Sequence, residues 1–395
     1  EEFFRQQLQT PEAAAGQQML AERGFTPTDA ARFGVGYAPQ GWDALLRLLR
    51  NKGFTDEELK LTGLMSEEQR GIYDRVRGRL KWPIRDLTGV TIGFGARKLY
   101  EDDPGPKYLN TPETQLYKKS QVLYGIDLAK REISKQKRIV VVEGYTDVMA
   151  CHLAGVETAV ATCGTAFATD HIKIARRLLS DFGSGGEVIF TFDGDAAGQK
   201  AALRAFQEDQ RFVAQTYVCV EPSGMDPCEL RQERGDAAIT ELIDNKRPLF
   251  EFAIRVGLRK HDLATVEGRV NALREAAPVV AAIRDPAMRP GYSRELAGWL
   301  GMDPNEVIRA VRGSGGRARH ATSGPAMHDA GGPGSEVPVP GQAPAWERPD
   351  TRDPVVRMER EALEVVLQHP HSLDGKAWQA VYGASFVAPA HVAVN

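Results

Sequence analysis

From Arg138 onward the chain alternates short, uninterrupted apolar runs with segments of helical spacing. The runs IVVV (139–142), TAVAT (158–162), VIFTF (188–192) and VAQTYVCV (213–220) are separated by helical stretches at 146–154, 168–180 and 196–208. Short β-branched strands between helices predict a parallel sheet covered on both faces, and in such sheets chemistry collects beyond the carboxyl ends of the strands. The first sixty residues read instead as a small helical lobe. MLAERG ends on Gly24, FTPTDAARF is capped at Thr26 to Pro27, and WDALLRLLRNKG stops at Gly53. Between Ile72 and Leu99 the pieces RLKWPIRD and GVTIGFGARKL, joined by a Thr88-Gly89 turn, predict a hairpin carrying Arg77, Arg79, Lys81, Arg85, Arg97 and Lys98. Trp82 within it reads as core.

After Phe250 the pattern is helical to Arg312, with Pro278, Pro286 and Pro290 as breaks. Residues 313–354 hold 8 Gly and 7 Pro among 42 and almost no large apolar side chains, so they cannot bury enough surface to order themselves and read as a flexible linker. An amphipathic helix, VVRMEREALEVVLQH (355–369), follows. The expected class is therefore α/β in a multi-lobed, α+β arrangement. A mixed helical and β lobe spans 1–137, a parallel-sheet domain 138–250, a helical subdomain 251–312, a linker 313–354 and a partial unit 355–395.

At 395 residues and 42% apolar the chain is too long for one core, which agrees with this division. Its 50 Lys and Arg against 53 Asp and Glu exclude a uniformly basic coat, but the charge is unevenly placed. Glu67 to Arg138 carries 16 basic and 10 acidic residues, net +6; Ile139 to Phe250 carries 10 and 17, net −7. A surface that attracts a polyanion thus precedes one that collects cations. Cys151, Cys163, Cys219 and Cys228 form no CxxC or CxxH pair, which argues against both a structural zinc and a disulfide framework. No apolar run approaches the roughly 20 residues of a membrane span, and EEFFRQQL carries no export signal, so a cytoplasmic location is expected. The opening Glu1, in place of Met, suggests a piece of something longer.

Acidic residues fall just past the predicted strand ends: Glu143 with Asp147 four later, Asp193 and Asp195, and Asp226 shortly after VCVEPSG. Parallel strands would bring these to one edge, where their repulsion must be relieved by protons or cations. Hard oxygen ligands favour Mg2+ or Mn2+ over zinc, and such ions could hold polyphosphate, activate a hydroxyl and stabilise a leaving pyrophosphate. A lone Asp-Gly-Asp is ordinarily a solvated turn; matched strand ends, each followed by a helix, give the functional reading its weight.

The segments VVVEGYTDVMA, VATCGTA and FTFDGDAAGQKAALRAF resemble the Toprim domain of primases, type IA and II topoisomerases and some nucleases. The resemblance implies a Mg2+-dependent phosphoryl-transfer site, with Glu143 catalytic or metal-proximal, Asp193 and Asp195 as metal ligands, Asp147 as acidic support and Asp226 completing the cluster. YDRVRGRLKWPIRD, IGFGARKL, PKYLNTPET and YKKSQVLYGID are similar to the RNA-polymerase core of bacterial replicative primases of the DnaG type, over about residues 1–312. That likeness implies synthesis of RNA primers from ribonucleoside triphosphates on single-stranded DNA at the replication fork in the nucleoid. It also implies that Arg77, Arg79, Arg97, Lys107, Tyr108 and Lys119 hold template and nucleotide phosphates. The segment 355–395 resembles the start of the region that contacts the replicative helicase, incomplete here. Two departures stand out: Asp226-Pro227-Cys228 replaces the family's Asp-Pro-Asp, and the family's zinc-ribbon ligands are missing. A Toprim topoisomerase or nuclease, and a non-catalytic DNA-binding module, are the competing readings.

Overall fold

The computed structural model describes residues 1–69, 71–164, 167, 169–179, 186–193, 215–283 and 285–318, with Asp193 and residues 315–318 described for their backbone only. Asp195, the expected helix at 196–208, most of the linker and the whole of 355–395 lie outside the described residues.

Helices α1 (Glu2–Gln7), α2 (Ala14–Glu22), α3 (Pro27–Arg32), α4 (Ala44–Asn51) and α5 (Asp56–Leu61) build the start of the N-terminal lobe. The cap expected before Pro27 is a capping box: the Thr26 side chain accepts from the Asp29 amide, and Asp29 accepts from the Thr26 amide. The lobe is mixed helical and β as expected, but its first sixty residues are not purely helical, since they also contribute a strand. Strand β1 (Gly36–Ala38) joins β4 (Arg79–Arg85), β5 (Thr91–Lys98) and β6 (Tyr108–Asn110) in an antiparallel sheet of order β1-β4-β5-β6, and β2 (Met65–Glu68) pairs with β3 (Gly71–Asp74). The expected hairpin is β4 and β5, with Trp82 opposite Gly95.

Helix α6 (Ile126–Gln136) leads into the second sheet, made of β7 (Arg138–Val142), β8 (Ala159–Ala161), β9 (Glu187–Asp193), β10 (Gln215–Glu221) and β11 (Arg247–Pro248), with α7 (Tyr145–Leu153) and α8 (Thr169–Leu179) as crossovers. Its order is β11-β10-β9-β7-β8, parallel throughout except for β11. Alternate residues of β7 serve two cores. Val140 and Val142 pack with Leu80, Trp82 and Met149 toward the N-terminal sheet, while Ile139 and Val141 pack with Ile133, Ile172 and Leu179 beneath α6 and α8.

Helices α9 (Pro227–Arg234), α10 (Asp236–Asp244), α11 (Leu249–Leu258), α12 (Val266–Ala281), α13 (Arg289–Leu300) and α14 (Pro304–Ala318) complete the described chain. The division expected between 250 and 251 falls inside α11, whose Leu249 belongs to the sheet core and whose Ile254 and Leu258 belong to the helical core. Pro278 does not break its helix: α12 runs through it, held by the burial of Ala276, Ala277 and Val280. Pro290 sits in the first turn of α13, where a missing N–H costs little. The linker also begins later than 313, because α14 continues to Ala318.

Candidate active site

The parallel sheet sets the backbone of the acidic rim. Register pairs Val141 of β7 with Phe190 of β9, and Asp193 at the end of β9 with Glu221 at the end of β10. Glu143 follows β7 directly, so Glu143, Asp193 and Glu221 leave neighbouring strands at one carboxyl edge. Glu143 is exposed; Asp147, one turn into α7, is buried, and its Oδ2 accepts from the Gly144 amide at 2.8 Å.

Asp226 is the N-cap of α9, its Oδ1 accepting from the Glu229 amide at 2.7 Å. Glu221, which the sequence reading passed over, is buried and accepts from the amides of Ser223 and Met225, thereby shaping the turn that delivers Asp226. Against the opposing effect of burial, hydrogen bonds from Ser223 and Met225, with a smaller contribution from Arg234, hold its carboxyl below the usual carboxylate range. Cys228 faces inward in the core, and burial pushes its thiol up to about 12, so no thiolate is offered to a metal at neutral pH. Among the described residues no three His, Cys, Asp or Glu side chains gather as a metal site; Asp195 and the Asp193 side chain lie outside that description.

The basic candidates divide. Arg79 is buried on β4, its Nε donating to Asp103 Oδ2 at 2.6 Å and its Nη1 to the Pro106 carbonyl at 2.8 Å. Arg77 lies over the Trp42 ring at 3.8 Å and donates to the Asp74 carbonyl. Arg85 joins Glu1 and Asp127. Lys81 is fully buried between the rings of Phe4 and Phe94, at 4.2 and 4.6 Å, and desolvation lowers it to about 7. The hairpin is thus no solvated basic face, because β4 is covered on both sides. Arg97 sits between the Met19 sulfur and the Tyr108 ring, whereas Lys107 and Tyr108 are exposed and Lys119 is half-buried.

Tyr108 marks where the two halves meet. Its ring lies 6.0 Å from the Arg97 guanidinium of β5 and 6.5 Å from the Tyr145 ring of α7. Arg23, at the end of α2, reaches Cys228, and the neighbouring backbone of α2 is tied to α9 by Arg231 and Gln232. The sequence held no signal for Arg23 or Glu221 in this role, since neither lies in a recognisable chemical motif and both are placed by packing between distant segments.

Three family models match the chain: the N-terminal domain of the DNA primase catalytic core over residues 3–130, a Toprim domain over 137–218, and the DnaB-helicase binding domain of primase over 250–305. The last match falls on the helical subdomain, upstream of the 355–395 segment to which the sequence reading gave helicase contact. The chain is 55% identical over 400 residues to the DNA primase of Streptomyces coelicolor and 48% identical over 405 to that of Mycobacterium tuberculosis, and it spans 62% of the length of each. It is similar to the crystal structure of the RNA polymerase domain of M. tuberculosis primase DnaG in complex with a double-stranded DNA oligomer bearing a 6-nucleotide overhang, at 52% identity and a TM-score of 0.70, covering 76% of this chain and 95% of that one. A DnaG primase catalytic domain bound to single-stranded DNA is 34% identical with a TM-score of 0.66, covering 77% of this chain and 95% of that one.

Proposed function

Since the chain belongs to the family of DnaG-type DNA primase catalytic cores with a Toprim domain, we propose that it synthesises short RNA primers on single-stranded DNA by nucleotidyl transfer. The observation that carries this reading is the junction at β6, where Tyr108 lies against the Tyr145 ring and Asn110 hydrogen-bonds both Tyr145, two residues past Glu143, and Cys163, just past the end of β8. Lys107, Tyr108 and Lys119 present charge and a stacking face to phosphates and bases, while Arg97 lines the same strand pair.

The 3′-hydroxyl of one ribonucleoside triphosphate attacks the α-phosphate of another, forming the phosphodiester and breaking the bond to pyrophosphate. Glu143, exposed at the strand end, takes the hydroxyl proton directly or through water. The rim's hard oxygen donors suit a divalent ion, and Glu143, Asp193, Asp195 and Asp226 are the residues that would hold Mg2+ or Mn2+. Such an ion supplies Lewis-acid stabilisation of the triphosphate charge. Asp147 holds the Gly144 turn beside Glu143. The helical subdomain, matched by the helicase-binding model, is assigned to contact with the replicative helicase.

Incorporation of labelled ribonucleotides on single-stranded DNA tests the reading. Asp193→Asn and Glu143→Gln are each expected to lower synthesis about 100-fold or more while template binding persists. Synthesis at the wild-type rate in either variant would overturn the site.

A further inference from the structure

Beyond their shared apolar core, the N-terminal sheet and the parallel-sheet domain are joined by the side-chain amide of Asn110. Asn110, the last residue of β6, accepts at Oδ1 from the Tyr145 hydroxyl at 2.7 Å and donates from Nδ2 to the Cys163 carbonyl at 2.6 Å. The carbonyl can only accept, so the amide NH2 must face it, and the phenol must donate to the remaining oxygen. Tyr145 opens α7 two residues after Glu143, and Cys163 leaves β8 at the same edge.

Both partners are themselves tightly constrained, Cys163 by its backbone and Tyr145 by the rings packed around it. Cys163 is a non-glycine residue at φ 55°, followed by Gly164 at 78°, so the β8 exit is a left-handed turn. The Tyr145 ring stacks on Trp82 at 5.5 Å with an interplanar angle of 10° and meets Tyr124 edge-on at 4.8 Å. It lies so close over β5 that a Cβ on Gly95 would fall inside the phenol. Trp82 Nε1 in turn donates to Met149 Sδ of α7 at 3.2 Å.

We infer that Asn110 is a positioning residue, its amide clamped between Tyr145 and Cys163 so that β6, with Lys107 and Tyr108, stands at a fixed spacing from the rim that carries Glu143. The inference deepens the primer-synthesis reading and rests on it. A nucleotide gripped from one lobe and attacked at the edge of the other reacts only if that spacing is held, and misplacement by about 1 Å can cost up to 100-fold.

The test measures primer synthesis, melting temperature and amide hydrogen exchange of the full chain as wild type, Asn110→Ala, Tyr145→Phe and the double variant. Asn110→Ala and Tyr145→Phe should each lower kcat by about tenfold or more, with nucleotide KM and template Kd within about twofold and melting within about 3 °C of wild type. The double variant should be no slower than Asn110→Ala alone, because one clamp is being removed twice. Exchange across 158–164 should quicken more in Asn110→Ala, which frees the Cys163 carbonyl, than in Tyr145→Phe, whose hydroxyl reaches Cys163 only at its side chain. Unchanged kcat, additive losses, a loss expressed in nucleotide KM, or activity that merely follows the folded fraction would each overturn the inference. A wild-type chain that incorporates no nucleotide would sink the primer-synthesis reading instead, and the exchange pattern would then decide by itself whether the clamp holds the Cys163 turn.

Discussion

In the N-terminal lobe Arg79, Arg85 and Lys81 are turned into packed layers and answered there by Asp103, by Glu1 and Asp127, and by two phenylalanine rings, whereas at the carboxyl edge of the parallel sheet Glu143 stands exposed beside the backbone end of β9. Charge clustered in sequence has therefore gone to different uses in the two regions. A charge removed from water must be matched by a partner or neutralised, so the arginine and lysine of β4 are occupied with holding the fold. A charge reserved for a ligand has to stay accessible, and on the basic side Lys107, just ahead of the edge strand β6, is exposed where the cations of β4 are covered.

Substitutions that separate folding from binding sharpen this contrast. The largest effect is expected at Arg79. Arg79→Ala leaves Asp103 without the guanidinium that holds its carboxyl below the ordinary range, and should destabilise by about 3 kcal/mol in denaturant titration while the folded fraction binds template within about twofold of wild type. The pH sign follows from that lowered carboxyl. The pair's contribution is present above the ordinary carboxylate value and is lost as pH falls through the lowered one, so the wild type should shed stability in acid that the variant never had. A loss of template affinity without a loss of stability would put Arg79 back among the binding residues.

Lys81 comes next. Its amine is lowered to about 7 in the fold, so between that value and the ordinary lysine value the unfolded chain binds the extra proton and stability rises with pH. Lys81→Met should remove that rise and stabilise the protein by about 2 kcal/mol at pH 7, read from melting curves at pH 7 and pH 10. A variant whose curve keeps the wild-type slope would show that the amine is not the cause.

Lys107→Ala and Tyr108→Ala should each weaken template or nucleotide binding about five- to tenfold, with melting unchanged, and Lys107→Ala should reduce the slope of log affinity against log salt by about one. Equal losses at Arg79 and Lys107 in a binding titration would erase the distinction between the two strands. The smallest effect belongs to Cys228→Ala, where a buried neutral thiol is removed: about 1 kcal/mol of stability at most and a Mg2+ titration midpoint within about twofold of wild type. A large shift in that midpoint would mean the thiol does take part in holding the ion.

Much of this architecture is legible in the order of residues because local rules govern it. Apolar β-branched runs of four to eight residues between helices predict the parallel sheet, and parallel connection by itself brings Glu143 and Asp193 to one edge, since every strand of such a sheet points the same way. The Thr26 cap and the β4–β5 hairpin follow from equally local chemistry. What the chain order could not reveal is which face each charged residue meets. Arg79 and Lys107 look alike as cations in a basic stretch, and only the folding of the connection between β5 and β6 over β4 buries the first, against Asp103 and Pro106, and leaves the second in water. The docking of one sheet upon the other decides that Asn110 meets Tyr145 and Cys163, 35 and 53 positions away. Periodicity sets where an element lies, but contacts between elements distant in sequence depend on how whole surfaces pack, and that is a property of the folded molecule alone.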